Sequence, residues 1–133
     1  MSHTTTAKVQ LKQVNKKLLV AAAKTIGTSM KAKIKEGMKV EVGGNWKNWG
    51  GTKTKCDVAI RWPGFDRGLG VNVTKEGIEF KYDDYGCRNE VDEAKKLVVR
   101  NYKVMATLAA LRAAGMSVKT KETQKGVEIV AMR

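Results

Sequence analysis

The apolar positions of the first 26 residues change their period once, from two to four. Residues 6–11 alternate polar and apolar, which is the pattern of a half-buried strand. Apolar residues then recur every four positions from Val14 to Ile26, the spacing of one helix face. Gly27 is suited to the position just after a helix end. The pattern predicts a strand followed by a helix, and residues 28–37 fit either a strand edge or a loop.

Alternation with a period of two dominates the middle of the chain. Four segments show it: 38–42, 56–62, 69–73 and 78–82. Pro63-Gly64 ends the second predicted strand, and Lys75-Glu76-Gly77 supplies a hairpin turn between the third and the fourth, because glycine tolerates positive φ. The segment Gly43–Gly51 is bracketed by glycine pairs and is predicted to be a loop.

A long helix and a hairpin complete the predicted order. Asn89 is a good N-cap, and Gly115 ends a helical pattern of about 25 residues, roughly 38 Å long. Alternation on both sides of residues 124–126 predicts a hairpin. The whole chain, residues 1–133, is predicted to be one α+β domain of order β-α-β-β-β-β-α-β-β. We expect an antiparallel or mixed sheet of about six to seven strands with two helices on one face.

Positive charge is concentrated toward the start of the chain. The formal net charge is +13. Residues 1–55 hold twelve lysines against two acidic residues, whereas residues 56–133 hold fourteen basic and eleven acidic residues. A surplus of this size costs stability through self-repulsion, so it indicates a polyanionic partner, RNA ahead of DNA. Solubility is the alternative explanation. The uneven distribution predicts one basic face.

Residue types that carry catalysis or bind metals are sparse. His3 is the only histidine, and Cys56 and Cys87 do not form a close metal-binding pair. Asp83 and Asp84 make a poor cation site, because adjacent strand residues point to opposite faces. No phosphate-binding glycine loop or dinucleotide fingerprint is present. The sequence therefore predicts a protein that is not an enzyme and has no metal or other cofactor.

The apolar segments also bear on location. None is long enough to span a bilayer, and residues 1–4 lack the apolar core of a signal peptide. Two cysteines are too few for a disulfide framework. These features predict a cytoplasmic protein with no membrane partner.

Four segments carry a pattern that extends over most of the chain: the opening Met1-Ser2-His3, the strand 56–61, the hairpin 70–85 and the tail from Tyr102 onward. In order and spacing they resemble the hypothetical reading-frame family of cyanobacteria and red-algal plastids, a domain of unknown function. The resemblance implies a small α+β domain and, as one option, an adaptor that works beside an ATPase of the AAA+ type. The Lys-rich start and the Trp-containing loop depart from the usual pattern of that family.

Two lysine-rich segments are the candidate binding sites. In the Gly43–Gly51 loop, indoles suit stacking on unpaired bases, at roughly 1–3 kcal/mol per base, and ammonium groups suit phosphate. The alternative is that one or both indoles fold back and cap the core. The lysines of the first strand and helix form either a phosphate-binding side or a solvated face. The candidate residues are Lys8, Lys12, Lys16, Lys17, Lys24, Trp46, Lys47, Trp49, Lys53 and Lys55.

Two functions that involve no catalysis are compatible with this pattern, and a small enzyme whose site is assembled from scattered Asp and Lys is a third alternative. The leading hypothesis is largely sequence-independent binding of RNA or DNA, which predicts an affinity that falls steeply with salt. The rival hypothesis is a small adaptor or subunit that docks on a larger protein assembly. In that case the exposed side of the long helix, or a sheet edge, makes the contact, and the positive charge meets an acidic partner.

Overall fold

Nine strands and two helices occupy the described part of the chain, which is residues 4–26, 37–48, 50–123 and 126–133 of a computed structural model. In chain order they are β1 (Thr5–Gln10), α1 (Lys16–Thr25), β2 (Lys39–Val42), β3 (Asn45–Lys47), β4 (Lys53–Lys55), β5 (Val58–Trp62), β6 (Phe65–Thr74), β7 (Gly77–Tyr82), α2 (Arg88–Ala113), β8 (Ser117–Thr123) and β9 (Gly126–Met132). The predicted α+β class is confirmed. The predicted order is wrong in one place, because a short strand, β3, lies within the predicted loop Gly43–Gly51 and a second, β4, directly follows it.

The main sheet has five strands in the order β1-β7-β6-β5-β2, and every neighbouring pair is antiparallel. The predicted count of six to seven strands was too high, because β8 and β9 pair only with each other. Strands β3 and β4 form a third, two-stranded sheet. Each of the alternating segments in residues 38–82 is a strand of the main sheet, as expected from its period.

One face of the main sheet packs against both helices. The side chains of β5 alternate, so that Val58, Ile60 and Trp62 join the helix-side core while Ala59 joins a small cluster on the other face. The buried helix residues in the same core are Leu19, Ala22, Ala23, Ile26, Val91, Ala94, Val98 and Tyr102. Burial of apolar area on this face is the main stabilising contribution, at about 25 cal/mol per Å². The opposite face of the main sheet is not part of this helix-side core.

The ends of the two helices follow from local hydrogen bonds. Asn15 caps α1, where its side-chain oxygen accepts from the Leu18 N–H at 3.2 Å. The N-cap of α2 is Cys87 and not Asn89, which was the predicted cap. The helix starts earlier because the Cys87 carbonyl already accepts the Val91 N–H at 3.0 Å. Gly115, at φ +80°, ends α2 as predicted.

Two sequence expectations concern the connection between α1 and β2. Gly27, predicted to follow the first helix, lies outside the described residues, and so does all of the ambiguous stretch 28–37 except its last residue.

A buried charge pair holds the connection between β7 and α2. Asp83 is fully buried, and its Oδ1 lies 3.6 Å from Nη1 of Arg67. A second guanidinium nitrogen, Nη2, donates to the Tyr85 carbonyl at 2.5 Å. Nearby, Trp62 Nε1 donates to Glu90 on the first turn of α2 at 2.8 Å. Together these contacts fix where the long helix begins relative to the sheet.

Candidate nucleic-acid interface

The glycine-bracketed segment Gly43–Gly51 contains the first strand and the turn of a hairpin, and is not a loop throughout as predicted. Strand β3 pairs with β4 in antiparallel register, with Trp46 opposite Thr54. Asn48 closes the turn between them, because its side-chain oxygen accepts the Thr52 N–H at 3.0 Å and its carbonyl accepts the Gly51 N–H at 2.9 Å. We refer to residues 45–55 as the basic hairpin.

Trp46 anchors the basic hairpin to the main sheet. Its side chain is only 3% exposed and clusters with Cys56 and Ala59 on the sheet face opposite the helices. A Cβ placed on Gly70 would lie 2.5 Å from Trp46 Cδ1, so the indole stands directly on a strand position that has no side chain. In this position Trp46 cannot stack on a base. The alternative interpretation, in which an indole caps the core, is the one that the structure shows for Trp46.

The other candidate indole, Trp49, lies outside the described residues.

The buried Nε1 of Trp46 has no hydrogen-bond partner among the residues that the structure describes. A buried donor without a partner costs about 1–3 kcal/mol. The apolar contacts of the ring must therefore offset this cost if the hairpin is to stay on the sheet.

The outer face of the basic hairpin carries its lysines. Residues directly opposite in an antiparallel pair lie on the same face, and Lys47 is opposite Lys53 while Asn45 is opposite Lys55. Since Trp46 faces the sheet, these four side chains face away from it. Three of the ten candidate residues are thus brought together on one small surface.

Acidic neighbours neutralise this surface only in part. Lys47 Nζ lies 3.7 Å from Asp66, whose side chain is 87% exposed, and such exposed pairs contribute about 0–1 kcal/mol. Arg61 pairs with Glu41 at 3.3 Å and donates to the carbonyl of Asn45, so its role is to hold β3 in place. Lys53 and Lys55 are exposed.

The lysines of the first strand and helix do not share one side, which corrects the expectation of a single basic face. Ala7 and Val9 pack on the helix-side core, so Lys8 between them points to the opposite face of the sheet. Lys17 and Lys24 are exposed on α1, on the helix side. The positive charge of this segment is therefore divided between two faces of the molecule.

The two remaining lysines of that segment lie at its turn and at the start of α1. Lys12 is exposed between β1 and α1. Lys16 Nζ is 3.4 Å from Asp57 Oδ1, and the other oxygen of Asp57 accepts the Val73 N–H at 2.8 Å. Lys16 thus pairs with a carboxylate that is itself fixed by the sheet.

Sequence reasoning missed a second basic surface, on α2. Residues 94–121 hold seven basic and no acidic residues, yet their charge was averaged with the acidic residues that precede them. Lys96, Arg100 and Lys103 recur at the i, i+4, i+7 spacing of one helix face. These three residues become evident when charges are counted within one predicted helix and not over half of the chain.

The two thiols sit in surroundings that disfavour the thiolate. Burial is the largest effect on Cys56 and raises its pKa, and its Sγ lies 3.4 Å from the Gly44 carbonyl. Burial also raises the pKa of Cys87, whose Sγ lies 3.3 Å from the Gly64 carbonyl. Neither thiol has the lowered pKa of a nucleophile. No group of three or more His, Cys, Asp or Glu side chains within the described residues is placed to hold a metal ion.

Comparisons of the chain with protein-family models, with curated proteins and with solved structures give no match. The resemblance stated from the short sequence motifs therefore stays a prediction. Neither of the described helices is both long enough and apolar enough to cross a bilayer.

Proposed function

We propose that this protein binds nucleic acid without catalysing a reaction, and that the basic hairpin makes the contact with phosphate. The observation that carries the proposal is the outward face of β3–β4, where Lys47, Lys53 and Lys55 stand together. Like charges directly opposite each other destabilise a strand pair. Repulsion between Lys47 and Lys53 therefore destabilises the hairpin in the free protein, and a bound polyanion removes this repulsion.

The anchoring of the hairpin supports this function. Trp46 and the hydrogen bond from Arg61 to Asn45 attach β3 to the main sheet. The lysines thus stand on a backbone that is held in place, and the flexible stem of a lysine side chain suits an irregular phosphate chain. Lysine ammonium groups act as point charges and read neither the bases nor the sugar. Binding is accordingly independent of sequence.

The number of lysines sets the expected salt dependence. Each phosphate neutralised contributes about −0.7 to the slope of log K against log salt for a single strand and about −0.9 for duplex DNA. Three lysines therefore give slopes of roughly −2 to −3. An increase in salt from about 0.05 to about 0.2 M is expected to weaken binding roughly 20-fold on a single strand and 40-fold on a duplex.

Fluorescence anisotropy with mixed-sequence RNA and single-stranded DNA tests the proposal. The variant Lys47→Gln/Lys53→Gln/Lys55→Gln is expected to lose most of the affinity and to flatten the salt slope by about 2. The control Lys75→Gln/Lys119→Gln/Lys121→Gln removes the same charge from exposed positions outside the hairpin.

The comparison of the two triple variants decides the location of the site. The control variant is expected to keep the slope of the original protein. Equal losses in both variants would mean that net charge, and not the hairpin, is responsible. No measurable binding by the original protein at low salt would overturn the proposal altogether.

A further inference from the structure

A groove separates β1 from α2 on the helix side of the main sheet. Its volume is about 530 Å³, which is in the range of ligand-binding clefts. Apolar side chains from three elements line it: Ala7 and Val9 of β1, Phe80 of β7 and Val99 of α2. The groove therefore suits aliphatic side chains of a ligand.

Cationic side chains of α2 line the same groove. They are Lys95, Lys96, Arg100 and Lys103, against the single carboxylate of Asp92 among the described lining residues. Asp92 is already 3.2 Å from Lys95 Nζ, so these two charges compensate each other. Lys96 and Lys103 are exposed. A ligand with carboxylates beside its apolar groups matches this lining.

The groove runs beside a strand edge that no described strand covers. Leu11 N–H donates to the Glu76 carbonyl at 2.8 Å, and this bond shows which residues of β1 direct their backbone groups toward β7. Alternate residues of an antiparallel strand direct their backbone groups to opposite sides, so those of Thr6, Lys8 and Gln10 point away from β7. The six residues of β1 pair with β7 without a bulge, and a regular edge of this kind is a template for another strand.

We propose that an extended acidic segment of a partner protein adds to β1 as a sixth strand of the main sheet. Main-chain hydrogen bonds to β1 supply affinity, and alternate side chains supply specificity. Apolar side chains of the segment fill the space between Val9 and Val99. Its carboxylates meet Lys96 and Lys103 at the rim, and Lys8 on the other face. The proposal concerns a surface other than the basic hairpin and does not depend on nucleic-acid binding.

The same features disfavour two other occupants. A nucleic acid has no row of backbone N–H and C=O groups with which to continue the ladder. A second copy of this chain, paired through β1, would bring the two α2 stripes with Lys96 and Lys103 to the same side of one seam. Like charges there repel each other, so self-association through this edge is unfavourable.

Fluorescence anisotropy with a labelled, capped peptide tests the proposal. The probe has about eight residues, enough to span β1; on the face toward α2 it carries Val at the two middle positions and Glu at the two outer ones, and on the opposite face it carries Glu and Thr. A second probe carries N-methyl groups on alternate residues, which keeps every charge and side chain but removes the N–H groups needed for the ladder. We expect the methylated probe to bind at least about tenfold more weakly, because the main-chain bonds carry much of the affinity.

A matched pair of variants locates the site. Lys96→Glu/Lys103→Glu reverses two exposed charges seven residues apart on α2, and Lys17→Glu/Lys24→Glu does the same on α1. We expect the first variant to weaken peptide binding at least about tenfold and the second by less than about twofold, since close charge pairs across an interface contribute on this scale. The two variants have equal net charge, so their RNA affinities should agree.

Four results would overturn the proposal. The first is that the peptide does not bind at all. The second is that the methylated peptide binds as well as the unmodified one. The third is that the two variants lose peptide affinity equally. The fourth is that sedimentation shows a dimer before any peptide is added and that Thr6, Lys8 and Gln10 are protected from amide exchange in that dimer. Backbone amide exchange gives a direct positive sign: protection of Thr6, Lys8 and Gln10 on peptide addition and no new protection in β3 or β4.

Discussion

The substitution Gly70→Ala tests how the basic hairpin is held on the sheet. Gly70 lies on β6 in the face that Trp46 covers. An added Cβ would lie 2.5 Å from Trp46 Cδ1, a distance that real Cβ contacts do not show, and 3.1 Å from the Lys81 carbonyl oxygen. Backbone and indole cannot both stay in place, so the indole must move outward and take β3 with it.

The expected cost follows from the overpacking of a tight contact. Insertion of one methyl group into a packed site destabilises by about 1–3 kcal/mol, and we expect about 2 kcal/mol for Gly70→Ala. Trp46→Ala removes the whole indole and is expected to cost about 3–5 kcal/mol. In that background the added methyl group meets only the Lys81 carbonyl. Gly70→Ala should then cost less than about 1 kcal/mol, since the remaining contact needs only a small shift.

Urea denaturation of the two single variants and the double variant, followed by circular dichroism, gives the coupling free energy. A double-mutant cycle isolates the interaction between two residues in contact. We expect a coupling of at least about 1 kcal/mol between Gly70 and Trp46. Additive costs would refute the conclusion that the indole stands on Gly70, and with it the explanation of how the lysines are presented.

Three further predictions concern other parts of the fold. Asp83→Asn leaves Arg67 without its buried countercharge and is expected to cost about 3–5 kcal/mol in thermal or urea unfolding; a loss below about 1 kcal/mol would contradict the role of this pair. Burial raises the pKa of both thiols, so labelling by iodoacetamide at mild alkaline pH is expected to be slow at both. Cys56 is the more buried and should react after Cys87, and the reverse order would contradict its place beneath the hairpin. Burial alone would lower the pKa of Lys95, but hydrogen bonds to Tyr82 and to a neighbouring carboxylate outweigh it and the pKa is raised. Its stabilisation is therefore complete below the unfolded pKa near 10.5 and is lost as pH rises through the higher folded value, so the stability difference from Lys95→Met should shrink above that pH and not stay constant.

Much of the fold could be predicted because its signals are local. The strands around Val71 and Phe80 alternate with a period of two, and the turn between them contains Gly77. The end of α2 is marked by Gly115, whose positive φ is easy for glycine and costly for other residues. These features depend on residues that are neighbours in sequence.

The basic hairpin could not be predicted because its strands are three residues long and are held by distant contacts. Asn45–Lys47 has only one apolar residue, too short a pattern to show a period. This residue, Trp46, is buried against Gly70 and Ala59, which follow later in the chain. A glycine inside a strand pattern is the one signal available, since it often marks a close approach by another group.

The single basic face was predicted from charge count and fails for a geometric reason. Lys8 is near Lys17 and Lys24 in sequence, but a strand turns alternate residues to opposite faces and the helices cover one of them. Clusters form instead where pairing or helical spacing brings lysines together, as in β3–β4 and along α2. Proximity in sequence is a poor guide to proximity on the surface.

The location of the nucleic-acid contact can be measured by lysine acetylation with and without bound RNA, with each site read by mass spectrometry. Lysines under phosphate are protected from the reagent. We expect Lys47, Lys53 and Lys55 to become protected together, while exposed lysines of α1 such as Lys17 and Lys24 keep their reactivity. Protection of the α1 lysines with an unprotected hairpin, or uniform protection everywhere, would contradict it.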